Sequence, residues 1–189
     1  MTNSRYYYFY ALLGSILLSF CFGFITVPRQ QIEWLSVEEA IVAHEKSPKK
    51  WFISLGAVWC QPCKQMSSTT LKDYNLSKYV TDKFYAVKLD AESRDTFLLA
   101  GEKYEYTTAL GRNGVNTLAL YLANGRSYYP TTVVLDEYLS NPQALYGFQS
   151  VESLEPFLVY FGENYHERLE WSIFENFYER QKANNRAWQ

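Results

Sequence analysis

Only three cysteines occur among the 189 residues, and neither sign of charge dominates, with 18 Lys and Arg against 20 Asp and Glu. Three cysteines cannot staple a small disulfide-rich scaffold, so the fold must rest on an apolar core. The material for one is present: 48% of the residues are hydrophobic and 20% charged, a balance that argues against global disorder. A formal net charge of -2 leaves no basic field for phosphates, because sequence-independent affinity for nucleic acid comes from clustered Lys and Arg. Nucleic acid is therefore not an expected partner. Histidine is also scarce, with His44 and His166 alone, and no repeat or low-complexity tract stands out beyond Tyr6-Tyr7-Tyr8. The length suits one compact domain with appendages.

The first appendage is apolar. From Tyr6 to Val27 there is no charged residue, and Arg5 precedes the run. Residues 1–27 therefore read as a signal peptide or an N-terminal membrane anchor. Cys21-Phe22-Gly23 supplies small residues where a cleaved signal needs them. As a helix the uncharged stretch would reach roughly 33 Å, close to the thickness of a bilayer core, so an uncleaved anchor fits as well. Lipidation at Cys21 is a third route, opposed by the bulky Phe20 before it. Each route sends the body across a membrane, to a periplasmic location either soluble or anchored by residues 6–27, with the N-terminal segment in contact with the membrane.

The body alternates helical and extended patterns. Ser36 to Glu45 starts with a capping serine and repeats apolar residues at helical spacing, whereas Trp51 to Val58 is a short apolar run of buried-strand type. A helix is expected from Cys60 to about Tyr74, with Pro62 in the first turn, followed by a short helix over Leu76 to Asp82 and a strand over Phe84 to Leu89. Thr96–Leu99 and Tyr104–Thr107 are expected to form a hairpin around residues 100–103. A helix over Asn116 to Ala123 ends at Asn124-Gly125; strands follow at Thr131–Leu135 and, nearer an edge, at Ala144–Phe148. Ser150 to Phe161 reads as a helix with Pro156 near its start, and Tyr165 to Lys182 as a last helix with Trp171, Phe174 and Phe177 on one face.

Cys60 and Cys63 stand two residues apart, in Trp59-Cys60-Gln61-Pro62-Cys63-Lys64. A bridge across so short a loop removes little unfolded-state entropy, so its value is chemical rather than structural. The strand-cysteine-helix order puts Cys60 in a helix's first turn, where unpaired N–H groups and the helix dipole stabilise a thiolate. Cys63, one turn on, can attack a mixed disulfide and close an internal bridge. On this reading Cys60 is the exposed, reactive sulfur and Cys63 the shielded one. A zinc site would need four ligands, and neither histidine stands at ligand spacing from the pair, so no metal is expected.

These residues, with Tyr129-Pro130-Thr131-Thr132 opening a strand, resemble the thioredoxin-like superfamily, in particular exported bacterial thiol:disulfide oxidoreductases. The resemblance implies an α/β, thioredoxin-like fold: a central mixed sheet flanked by helices over residues 28–162, an insertion at about 91–128 before the cis-proline strand, and a C-terminal helical extension at 163–189. It implies a redox-active Cys60–Cys63 disulfide as catalytic pair, a cis Pro130 contacting the substrate backbone, and Trp59, Pro62 and Tyr129 shaping the substrate site. Expected partners are protein thiols or disulfides and a membrane electron donor or acceptor; no cofactor is implied, since the dithiol itself stores two electrons. The Gln-Pro pair, close to the Gly-Pro of reductants, favours a reductase. The sequence departs from the family at Ser54, where many members carry a buried carboxylate, with Lys88 and solvent as weak substitutes. The rival reading is a thioredoxin-like binding or chaperone module without redox turnover.

Overall fold

The computed structural model describes residues 31–110 and 114–183; the segment expected to be a signal or anchor, with Cys21, lies outside the described residues. Among the described residues no helix is long and apolar enough to cross a membrane.

A five-stranded sheet carries the fold, in the order β1 (Trp34–Leu35), β3 (Tyr85–Asp90), β2 (Trp51–Gly56), β8 (Thr131–Leu135), β9 (Gln143–Tyr146). It is mixed: β3 runs parallel to β1 and β2, while β8 is antiparallel to both β2 and β9. Strand alternation divides the core between the two faces. Trp51, Ile53 and Leu55 pack on one side with Val87, Leu118, Leu122 and Val133, against α1 (Val37–Lys46) and α4 (Thr117–Leu122). Phe52 faces the other way, onto Met66, Leu76, Val80, Val134, Leu154 and Leu158. Those residues belong to α2 (Gln61–Ser68), α3 (Tyr74–Lys83), β8 and α5 (Val151–Gly162). The thioredoxin-like layering expected from the sequence, a mixed sheet between helices, is the observed one.

Local signals account for most of the elements. Ser36 and Glu39 form a reciprocal capping box on α1, Asp73 caps α3 through the Leu76 N–H, and Asn124 and Gly125, both at positive φ, end the turn after α4. Four expectations are corrected. The helix after Cys60 stops at Ser68 rather than near Tyr74, because the Ser68 and Thr69 hydroxyls donate back to the Gln65 carbonyl and Asp73 starts a new helix after a 3-10 turn over Thr70–Lys72. The hairpin turn contracts to Ala100-Gly101, both at positive φ, so β4 (Phe97–Leu99) pairs with β5 (Glu102–Tyr104). Tyr106–Thr107 (β6) instead pairs with Val115–Asn116 (β7). Pro156 sits in the middle of α5, on its buried face, rather than near its start. The last helix, α6 (Trp171–Ala183), begins only after a separate 3-10 turn at Tyr165–Glu167, since Asn164 adopts a left-handed conformation.

Two further segments are tied to this frame. Asn116, fully buried, donates to the Ser93 and Asp95 carbonyls and accepts the Leu118 N–H, tying the start of α4 to the loop that follows β3. The helix α6 docks on α5 through Phe174 and Tyr178, which cluster with Val159 and Tyr160; Lys182 reaches the buried Glu155 at 2.8 Å.

Candidate active site

The two central strands converge on Cys60. β2 ends at Gly56, the Cys60 N–H donates to the Ala57 carbonyl at 3.0 Å, and Cys60 becomes the N-cap of α2. Its Sγ accepts the Cys63 N–H at 3.1 Å. This is the electrostatic arrangement anticipated from sequence: sulfur at a helix N-terminus, facing an unpaired backbone donor, favours the thiolate. Pro62 lies in the first turn, where its missing N–H leaves nothing unpaired. The sulfurs of Cys60 and Cys63 are joined in a disulfide with Cα atoms 5.3 Å apart.

Exposure departs from expectation. In this oxidised form Cys60 is 2% exposed and Cys63 half-buried, the reverse of the exposure expected from the motif. The physical reason is the cap itself, which turns the Cys60 sulfur back over the first turn of the helix. Cys63 sits above Gly56, where an added Cβ would lie 3.0 Å from its sulfur. It borders a groove of about 690 Å³ that also includes Ser54, Lys64, Lys72, Lys88 and Asp90.

The remaining expected residues gather at the same end of the sheet. The register pairing Leu55 with Thr131 brings Pro130 to the end of β2 that leads to Cys60; the Tyr129–Pro130 bond is cis, and the Pro130 carbonyl accepts the Gly147 N–H at 2.8 Å. Pro130 is buried and Pro62 exposed. The Trp59 ring, 57% exposed, meets the Tyr129 ring edge-on with centroids 6.1 Å apart. Its indole N–H donates to Glu92 Oε1 at 2.9 Å. Burial pushes the Tyr129 phenol above its ordinary pKa, opposed by a hydrogen bond with Ser127 and reinforced by the charges of Glu92 and Asp90, so it remains a neutral rim group.

Sequence reasoning missed Glu92, Tyr128 and Val58. Tyr128 and Val58 are exposed beside the named rim residues, and Tyr128 approaches Gly147. Adjacency to Trp59 and Tyr129 was the available signal for Val58 and Tyr128; nothing local marks Glu92, which lies 33 residues from Trp59. Ser54 lies on β2 in register between Lys88 and Thr132. The histidines have other engagements: His44 Nδ1 accepts from the Trp51 indole, and His166 packs on Tyr160 and Phe161. Among the described residues no group of three His, Cys, Asp or Glu side chains gathers as a metal ion would require.

No curated protein sequence matches the chain. A thioredoxin-fold protein from Helicobacter pylori is similar in structure, with a TM-score of 0.52 at 13% identity over 82% of this chain and 94% of that one. A thioredoxin from Thermus thermophilus aligns with a TM-score of 0.48 at 15% identity, over 68% of this chain and 85% of that one. The sequence profile of the thioredoxin-like domain matches residues 37–162, which is more than half of the chain and spans the cysteine pair, the cis proline and all five strands of the sheet but β1. The chain therefore belongs to the thioredoxin-like domain family.

Proposed function

We propose that the protein is a thiol:disulfide oxidoreductase that acts on protein disulfides, preferentially as a reductase, on the far side of a membrane. The observation that carries this reading is the Cys60–Cys63 disulfide set at the N-terminus of α2, with the Cys63 N–H directed at the Cys60 sulfur. In the reduced protein Cys60, as thiolate, attacks one sulfur of a client disulfide and expels the other as a thiolate. Cys63, deprotonated, then attacks Cys60 Sγ, releases the second client sulfur and closes the Cys60–Cys63 bond. The client gains two electrons and the dithiol loses them. The exposed Trp59 and the Tyr129–Pro130 corner offer an apolar rim and backbone groups to an extended peptide beside the attacking sulfur. The Gln61-Pro62 pair supports the reductive direction, and the uncharged run from Tyr6 to Val27 supports export with the segment either cleaved or kept as an anchor. A membrane electron donor fits that location as the source of reducing equivalents.

Insulin reduction with dithiothreitol as donor tests the exchange. The wild type is expected to turn over, Cys63→Ser to accumulate a mixed disulfide with insulin through Cys60, and Cys60→Ser to do neither. Equal behaviour of the two variants, as an incidental cysteine pair in a binding or chaperone module requires, refutes the reading.

A further inference from the structure

The groove beside Cys63 has a chemistry of its own. Its lining includes the apolar Gly56, Ala57, Val58 and Leu89, and it shares none of its lining with Trp59, Tyr129 or Pro130. Three lysines line it, Lys64, Lys72 and Lys88, against one acidic residue, Asp90, and the Lys72 ammonium also donates to Gln31 Oε1 at 3.1 Å. Gly56, which lines the groove, is also the residue that the Cys63 sulfur covers. A cavity of about 690 Å³ is too small for a folded client and ample for a small molecule.

We infer that this groove admits a small anionic thiol, one carrying a carboxylate or sulfonate, that reduces the disulfide by attacking Cys63; the inference rests on the exchange reading above. The thiolate forms a bond to Cys63 Sγ, the Sγ–Sγ bond breaks, and the electron pair leaves on Cys60. Cys60 is the better leaving group, because its thiolate is stabilised by the Cys63 N–H and the N-terminus of α2. A second thiolate attacks the small-molecule sulfur of the mixed disulfide, and Cys63 departs as a thiolate and takes a proton from water. Two small thiols become one small disulfide, and the protein disulfide becomes a dithiol. Reloading from the groove leaves the Trp59–Tyr129–Pro130 rim free for the protein client.

The test uses the full-length chain carrying Cys21→Ser, oxidised and held in a nonionic detergent. Reduction by 2-mercaptoethanesulfonate, 2-mercaptoethanol and cysteamine is followed by acid quench, with rates expressed per thiolate. At low salt the sulfonate is expected to exceed the neutral thiol by about fivefold and cysteamine to lag it by a similar factor, a spread that collapses in concentrated salt. Lys64→Gln and Lys72→Gln are each expected to slow the sulfonate about twofold and to leave 2-mercaptoethanol unaffected. Peptide fragmentation should place the earliest adduct on Cys63. An adduct on Cys60, or rates indifferent to thiol charge, overturns the inference. Insulin turnover with dithiothreitol does not depend on the groove: charge indifference with turnover intact refutes the groove alone, whereas absent turnover refutes the exchange reading itself.

Discussion

Gly56 offers a direct probe of the coupling between the sheet and the disulfide. A Cβ added there would stand 3.0 Å from Cys63 Sγ and 3.4 Å from Cys63 Cβ, with nothing else within 4 Å. In Gly56→Ala the oxidised protein has little means of relief, because Cys63 is tethered to Cys60 and Cys60 is held as the helix cap. In the reduced protein the Cys63 thiol is free to rotate away. Overpacking of this kind costs about 1 to 3 kcal/mol, and most of it should fall on the oxidised form. Since about 30 mV corresponds to about 1.4 kcal/mol for a two-electron couple, the reduction potential should rise by about 20 to 65 mV, towards a stronger oxidant. Equilibration against glutathione redox buffers, read by alkylation and mass, measures the shift. Thermal unfolding of the two forms gives an independent value. An unchanged potential, or equal destabilisation of both forms, would refute the argument that the strand end and the disulfide compete for the same space.

The docking of the last helix gives two more expectations. Phe174 is fully buried, with the rings of Tyr165, Tyr160, Tyr178 and Trp171 at centroid distances of 4.9, 5.0, 5.6 and 5.8 Å, so Phe174→Ala should cost about 3 to 5 kcal/mol and expose α6 to limited proteolysis. Resistance equal to the wild type's would show that α6 is held by something other than this cluster. In alkali, Tyr79 and Tyr178 should both favour the folded state's loss: burial first, then the charges of Glu163 and Glu155 respectively, raise their pKa values far above the ordinary 10.0. An unfolded chain releases those protons near pH 10 while the native one retains them, so their contribution is complete below about pH 10 and is lost as pH rises beyond it. Absorbance at the phenolate band should rise together with loss of circular dichroism, and Tyr178→Phe should flatten the pH dependence of stability; early, gradual ionisation without unfolding would contradict the burial.

What the sequence by itself determined lies within the reach of a helical turn or a strand. Ser36 and Glu39 cap α1 across three residues, Pro62 and the Cys60–Cys63 spacing define the first turn of α2, and the alternation of Trp51 to Leu55 divides one strand between two core faces. Such signals are legible because the interacting groups are separated by fixed covalent geometry. The motif also located the cysteine pair at the start of a helix, where it is observed, since strand, cap and helix are contiguous. Tertiary structure decided the rest. Whether Tyr106 continues one hairpin or begins another depends on β7, ten residues away, and the left-handed backbone of Ala100 is set by pairing rather than by alanine's own preference. The end of α2 was decided by hydroxyl groups that choose between solvent and the Gln65 carbonyl, a local competition that composition leaves balanced. Most consequentially, which cysteine borders open space follows from the cap turning Cys60 inward and from Gly56 lying beneath Cys63, and Lys88 lines the same groove as Lys64 and Lys72 because β3 pairs with β2 and aligns it with Ser54. Strand register joins residues far apart in the chain through hydrogen bonds any sequence can make, so its consequences for charge and access become visible only in the folded sheet.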